Sequence, residues 1–369
     1  MDVKGISILL LFGFLTFRFL GTEANRLHAI DIKYPQLFPE GFDWDPKNQH
    51  FIVGSMSRGT IHKVSDAGVV EDFIKDNDYA GRAAVLGITV DTRRNRFLAV
   101  IRGLPGAGEE GQSGLNALAA YDLKSGKRFF FVELDHVGVE PGERVEANDV
   151  AVDPYGNAYV TNSAGNFIWK ITLEGQATVF AKSPIFTSQP TIVEDDMAKF
   201  CGLNGIVYNK KGALLVSQTN SGMIYKVDLD DGVVNLVEIS KPLPWADGIT
   251  VRRDGVLLVA SCHTAWFVQS PDNWGVATVV DEVPMNSSMF ATAIALREDN
   301  KAYVLNNHLL DYIKKISREE FSIQEIEFPK EAAGEKVWVI VLIVIGLLYV
   351  FFWRFQMGYV IKNMNKKRA

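Results

Sequence analysis

"LNGIVYNKKGALLVSQ", residues 203–218, contains turn chemistry in two places, and only one of them separates strands. Asn209-Lys210-Lys211-Gly212 lies between two apolar halves, as a hairpin turn should. Asn204-Gly205 instead stands at the front of the first half, where it has nothing to connect. Aligning the chain on Asn204 shows why that place matters. Six windows of seventeen residues stack without a gap, beginning at Glu40, Leu86, Asn148, Asn204, Asp247 and Thr292.

The columns of this alignment carry a strand–turn–strand pattern. The third position reads Phe42, Ile88, Val150, Ile206, Ile249 and Ile294. The twelfth reads Phe51, Phe97, Tyr159, Leu215, Leu258 and Tyr303. Asp-Pro, Gly-Asn, Lys-Gly, Asp-Gly and Asp-Asn pairs fall between the apolar halves. Further strand-like runs follow, such as "GMIYKVDL" and "VVNLVEI", giving four strands per unit. Six four-stranded units predict an all-β, six-bladed β-propeller over 25–330. "LHAIDIKYP", residues 27–35, is expected to close the ring against the last blade. The Gly-rich insertion 103–116 reads as a mobile loop on one face.

Both ends of the chain lie outside this pattern. Lys4, the apolar run Ile6–Phe17 and the small residues Thr22 and Ala24 read as a signal peptide over 1–24, with an uncleaved signal anchor as the alternative. A linker, 331–336, leads to "VWVIVLIVIGLLYVFFW", 337–353, read as one transmembrane helix flanked by Trp338 and Trp353. A buried core helix is the competing reading. The tail 354–369 holds five basic residues and no acid, so it is expected in the cytosol and the propeller in the lumen or, at the cell surface, outside. Lys366-Lys367 near the C-terminus resembles a dilysine retrieval signal of type I membrane proteins of the endoplasmic reticulum; plain positive-inside charge accounts for it equally well. Between the two ends stand 31 basic and 42 acidic residues, an acidic body that argues against nucleic acid as a partner. Cys201 and Cys262 imply no disulfide framework, and whether they pair is left open. Asn286-Ser287-Ser288 is a glycosylation sequon.

Innermost propeller strands run in one direction along the axis, so the first column should form a ring at the channel mouth. Glu40, Asn148, Asn204 and Asp247 offer side-chain oxygens there, two of them carboxylates, with no Lys or Arg in the column. Such a set suits a hard cation, Ca²⁺ before Mg²⁺. Strand-end polar residues with no ligand are the plainer alternative for each residue singly; four in one register favour a shared site, because buried unpaired carboxylates are costly. The last column returns to the same face and offers Arg102, Asn220, His263 and His308 as substrate contacts or proton carriers, a satisfied structural histidine being the more usual reading of His263 and of His308.

The ordered set Glu40 in "FPEGFDWDP", Asn148 in "EANDVAVDP", Asn204 in "CGLNGIVYN" and Asp247 in "WADGITV" resembles the regucalcin, gluconolactonase and paraoxonase superfamily over residues 38 to 328. The resemblance implies a central Ca²⁺ held by Glu40, Asn204 and Asp247, with Asn148 a further ligand or a substrate contact. It implies hydrolysis of a small lactone or ester, or of a phosphotriester, with Asp247 as general base. Paraoxonase-like members carry a histidine where this chain has Leu86, a departure that points to a regucalcin-like arrangement or to lost activity. Two other readings stand beside this one. One is a strictosidine-synthase-like, metal-free propeller enzyme using a glutamate; the other is a binding propeller in which calcium is structural.

Overall fold

The computed structural model describes residues 27–104, 114–199, 201–297, 301–328 and 334–366. It has two compact units, Met1–Glu327 and Phe328–Ala369. The signal-peptide segment, the core of the Gly-rich insertion (105–113) and Lys367 lie outside the described residues.

The first unit consists of six sheets, antiparallel but for one added strand in blade 5, a six-bladed propeller. The inner strands are Pro39–Asp45, Ala83–Asp91, Ala147–Val152, Leu203–Asn209, Ile249–Val251 and Ala291–Leu296. Second strands are buried from end to end in blades 3, 4 and 6, because neighbouring blades cover both faces. The twelfth-column side chains, from Phe51 to Tyr303, are all buried between blades. Removing one such aromatic ring would cost roughly 3–5 kcal/mol. Outer strands such as Ala177–Lys182 are mostly solvated.

Turn chemistry works as the residues dictate. Gly156, Gly212 and Gly255 take positive φ at the hairpin tips of blades 3, 4 and 5, as Gln49 and Asn95 do in blades 1 and 2. Asp45, Asp153 and Asn209 each accept a turn N–H on the side-chain oxygen Oδ1.

Ring closure is achieved as the sequence predicts. Strand Ala29–Lys33 pairs antiparallel with Glu320–Ile326, the third strand of blade 6, from Ala29 opposite Gln324 to Lys33 opposite Glu320. Asn307 Nδ2 donates to Pro39 O (2.8 Å) and Thr292 Oγ1 to Glu40 O (2.9 Å), joining blade 6 to blade 1. Blades 4 and 5 share a further tie, since Glu238–Ile239 pairs parallel with the outer strand of blade 5.

The second unit is one helix, Gly334–Lys366. Its stretch Val341–Asn365, with mean hydropathy 1.8, is long and apolar enough to cross a membrane. The apolar character therefore runs past Trp353, where the sequence pattern was cut because of Arg354. Residues 355–361 are uncharged and the helix does not break at Arg354, whose aliphatic stem can lie along an apolar surface.

Candidate active site at the channel mouth

Asn204-Gly205 is a bulge. In blade 4 the pairing runs Leu203↔Gln218 and then jumps to Ile206↔Val216, so Asn204 and Gly205 have no one-to-one partners. The same irregularity falls at the first-column residue in blades 1, 2, 3 and 6. Inner strands accordingly begin before the ring residue in those blades. A bulge re-aims a side chain, and here the same device is repeated around the channel. The glycine that follows serves a separate need. A Cβ on Gly205 would lie 2.3 Å from Asp247 O, and one on Gly41 2.2 Å from Leu86 O. Inner strands approach too closely at these two positions for a side chain.

All six first-column residues line one cavity of about 350 Å³ at the mouth: Glu40, Leu86, Asn148, Asn204, Asp247 and Thr292. Five of them, all but Leu86, also line the narrower channel beneath, about 230 Å³. The predicted ligand set is thus brought together at the junction of cavity and channel.

Hydroxyl chains orient the two amides. Asn148 Nδ2 donates to Ser163 Oγ (2.9 Å), which donates to Leu203 O (2.6 Å). Asn204 Nδ2 donates to Thr219 Oγ1 (2.9 Å), which donates to Ala246 O (2.8 Å). Each hydroxyl has spent its proton on a carbonyl, so it can only accept from the amide. The NH₂ is thereby fixed against the blade, leaving Oδ1 as the free end. A second set of hydroxyls ties the ring residues' own carbonyls to the preceding blade: Thr161 to Asn204 O (2.8 Å) and Ser217 to Asp247 O (2.7 Å).

The carboxylates carry the strongest electrostatic signal. Burial, then the charges of Glu40 and Asp149, raises the proton affinity of Asp247 well above the usual carboxylate range. Glu40 is raised by burial and by Asp149, with Arg102 opposing. Two further channel residues join them. Asp149 is pushed up to about 7, chiefly by burial, although it accepts hydrogen bonds from Ile206 N (3.0 Å) and Val150 N (2.8 Å). Asp43 is pushed up to about 6, again chiefly by burial, while bonded by Val90 N (2.7 Å) and Trp44 N (2.8 Å). All four side chains line the channel, and Glu40 and Asp247 line the mouth cavity as well. Among the described residues no three His, Cys, Asp or Glu side chains form a ready-made metal cluster. The donor set is mixed, two carboxylates and two amide oxygens at the mouth. Carboxylates held in protein with too little positive charge nearby fit a bound divalent cation, and oxygen-only donors fit Ca²⁺.

Of the proposed substrate contacts, Asn148 and Arg102 line the cavity, the latter 3.8 Å from Glu146. Asn220, His263 and His308 are not among its lining residues. Asn220 Nδ2 donates to Lys199 O (3.1 Å). His263 is exposed and meets Trp245 edge to face. His308 is buried ahead of the short helix Leu309–Ile313, with its pKa lowered by burial. Last-column residues lie past the ends of their strands except in blade 2, whose second strand continues through Gly103 and so keeps Arg102 directed by strand alternation. Cys201 lines the cavity as a free thiol, its pKa pushed up to about 11 by burial, so it is no ready thiolate; Cys262 is free as well. Asn286 is exposed, with Oδ1 accepting from Ser288 Oγ (2.8 Å).

Sequence reasoning passed over Asp43, Asp149, Glu146 and the aromatic pair Trp245 and Phe290. Asp149 had a visible signal. It is the one carboxylate in a second column that otherwise reads Gly41, Gly87, Gly205, Gly248 and Ala293.

The SMP-30/gluconolactonase/LRE-like region matches residues 38–308, most of the propeller. The chain belongs to this family. No curated protein sequence matches it. Among solved structures, the Malassezia sympodialis allergen Mala s 1 is similar with TM-score 0.68 at 18% identity, covering 83% of this chain and 99% of that one. A gluconolactonase from Xanthomonas campestris is similar with TM-score 0.55 at 16% identity, covering 82% and 91%. A streptogramin B lyase reaches TM-score 0.51 at 12% identity, covering 82% and 97%. At these identities the likeness is one of fold, and the fold hosts more than one chemistry.

Proposed function

We propose that the protein is a membrane-tethered, calcium-dependent hydrolase of small lactones or esters, with its propeller in the lumen of the secretory pathway. The observation that carries this is the buried acidic ring at the floor of the mouth cavity. Family members are typically metal-dependent. Glu40, Asn148, Asn204 and Asp247 would hold the cation, which when bound supplies a Lewis acid for the ester carbonyl and its developing oxyanion. Asp247 takes the proton from the attacking water and returns it to the leaving alkoxide as the acyl C–O bond breaks. Asn148 and Arg102 orient the acyl group. The cavity volume is that of a small-molecule pocket and not of an open protein-binding face. The blade 6 residues that line it, Phe290, Thr292, Asn307 and Leu309, include no carboxylate for a metal-free glutamate mechanism. The helix Gly334–Lys366 serves as the tether.

The test is a calorimetric calcium titration of the detergent-solubilised full chain beside Asp247→Asn, followed by a screen of simple lactones and esters. Calcium binding lost in Asp247→Asn, with calcium-dependent hydrolysis in the wild type, is expected. Absence of calcium binding in the wild type would remove the mechanism.

A further inference from the structure

The cavity wall is divided by blade. Trp245 leads into blade 5; Phe290 and Leu309 flank the first hairpin of blade 6; Met56 directly follows the second strand of blade 1; and Leu86 is the ring residue of blade 2. These form one apolar arc over four consecutive blades. Arg102, Arg144 and Glu146 occupy the opposite side on blades 2 and 3, joined as an ion-paired group.

Two features show that the apolar arc is built and is not incidental. Trp245 and Phe290 meet edge to face, with ring centroids 5.9 Å apart. Both also hold left-handed backbone, with φ of 62° and 53°. Bulky residues avoid that region; Phe38, two residues ahead of Glu40, takes it too (φ 41°) but is buried against Tyr312 and Phe321, so the turn belongs to the repeat and in blades 5 and 6 it delivers an aromatic ring to the cavity. Each stands two residues ahead of its ring residue, Asp247 and Thr292, so the strained turn that delivers the ring residue also turns an aromatic side chain to the cavity. Beyond the ring residues, Asn307, whose Oδ1 has no partner, is the one polar side chain that blades 5, 6 and 1 add to the lining, so a polyhydroxylated sugar lactone would find few hydrogen-bond partners along this arc.

We propose that the arc is an acyl-chain subsite, and that the substrate is a lactone or ester bearing an alkyl or aryl chain. This rests on the hydrolase reading for the reacting end of the molecule, but the subsite itself is a claim about binding. The probe is a series of non-hydrolysable lactams carrying no chain, ethyl, butyl or hexyl, titrated by calorimetry into the full chain in detergent. Affinity should rise by about threefold for each added methylene until the cavity is filled. Trp245→Asn and Phe290→Asn should flatten that dependence. Asparagine tolerates left-handed backbone, so the turn survives, and an unchanged Tm in chelator checks that both variants fold. Chain-length-independent affinity in the wild type, no lactam binding at all, or an undiminished slope in both variants would overturn the proposal. Calcium titration of the same protein keeps the two claims apart. A chain-length slope without calcium binding leaves the subsite standing and removes the hydrolase; calcium binding without a slope does the reverse.

Discussion

Calcium should stabilise this propeller more at about pH 8 than at about pH 5, and the channel carboxylates set the size of the difference. Asp149 is raised from 3.8 to about 7 and Asp43 from 3.8 to about 6. A carboxyl whose folded value exceeds its unfolded value keeps a proton that the unfolded chain has released. Its cost to the fold therefore grows as pH climbs from the unfolded value toward the folded one. Between pH 5 and pH 8 that growth is about 2.5 kcal/mol for Asp149 and about 1.5 kcal/mol for Asp43. Glu40 and Asp247 are shifted in the same direction and add to it. A loss of about 4 kcal/mol lowers the Tm of a body this size by about 6 °C. His50, His62 and His308 are held below the usual histidine range by burial and push the opposite way across the acidic half of this window. The assay therefore takes the difference between scanning-calorimetry Tm values in calcium and in chelator at each pH, in which the histidine contribution cancels. That increment should widen by several degrees toward alkaline pH. An increment that stays flat or narrows would refute the idea that these four groups titrate as a cation-deprived cluster.

Three further outcomes follow from the same geometry. Gly205→Ala would press a Cβ to 2.3 Å from Asp247 O and 2.9 Å from Ile249 N, and should cost about 1–3 kcal/mol in denaturant unfolding. Thr219→Val keeps the side-chain shape but frees the Asn204 amide from its hydroxyl anchor; calcium affinity should fall on the order of tenfold in calorimetry, and the unpaired Ala246 carbonyl and Asn204 amide should cost about 1–3 kcal/mol of stability in chelator. Asn286→Gln should abolish an endoglycosidase-sensitive mobility shift of the protein expressed in a secretory host, given an exposed sequon on the loop into blade 6.

The repeat made most of this legible. A column alignment placed the blades, the closing strand and the ring, because a side chain's position in a propeller depends on register more than on its neighbours in sequence. What it could not place were residues beyond the reach of strand alternation. His263 and His308 were assigned to the mouth by counting along strands that had already ended, whereas Arg102 was counted along one that had not. Trp245 and Phe290 stood two residues ahead of the ring, in a turn whose left-handed geometry no periodicity reports. Asn204-Gly205 was half read. The asparagine was recognised as a ring member, but the bulge that aims it and the crowding that demands glycine appear only when the blades are assembled.

The seam of the ring has a consequence for how the protein comes into being. His28 and Glu325, 297 residues apart in sequence, are bonded across it. The strand made first must wait for the strand made almost last before its edge is covered. Long-range pairing of this kind is slow, and an uncovered edge invites pairing with other chains. The ring residues at the mouth come from all six blades, and Thr292 of blade 6 bonds Glu40 O of blade 1, so a chain lacking blade 6 leaves the ring open. The ring at the mouth should therefore close only once blade 6 has been made, and the apolar helix follows that blade in the sequence.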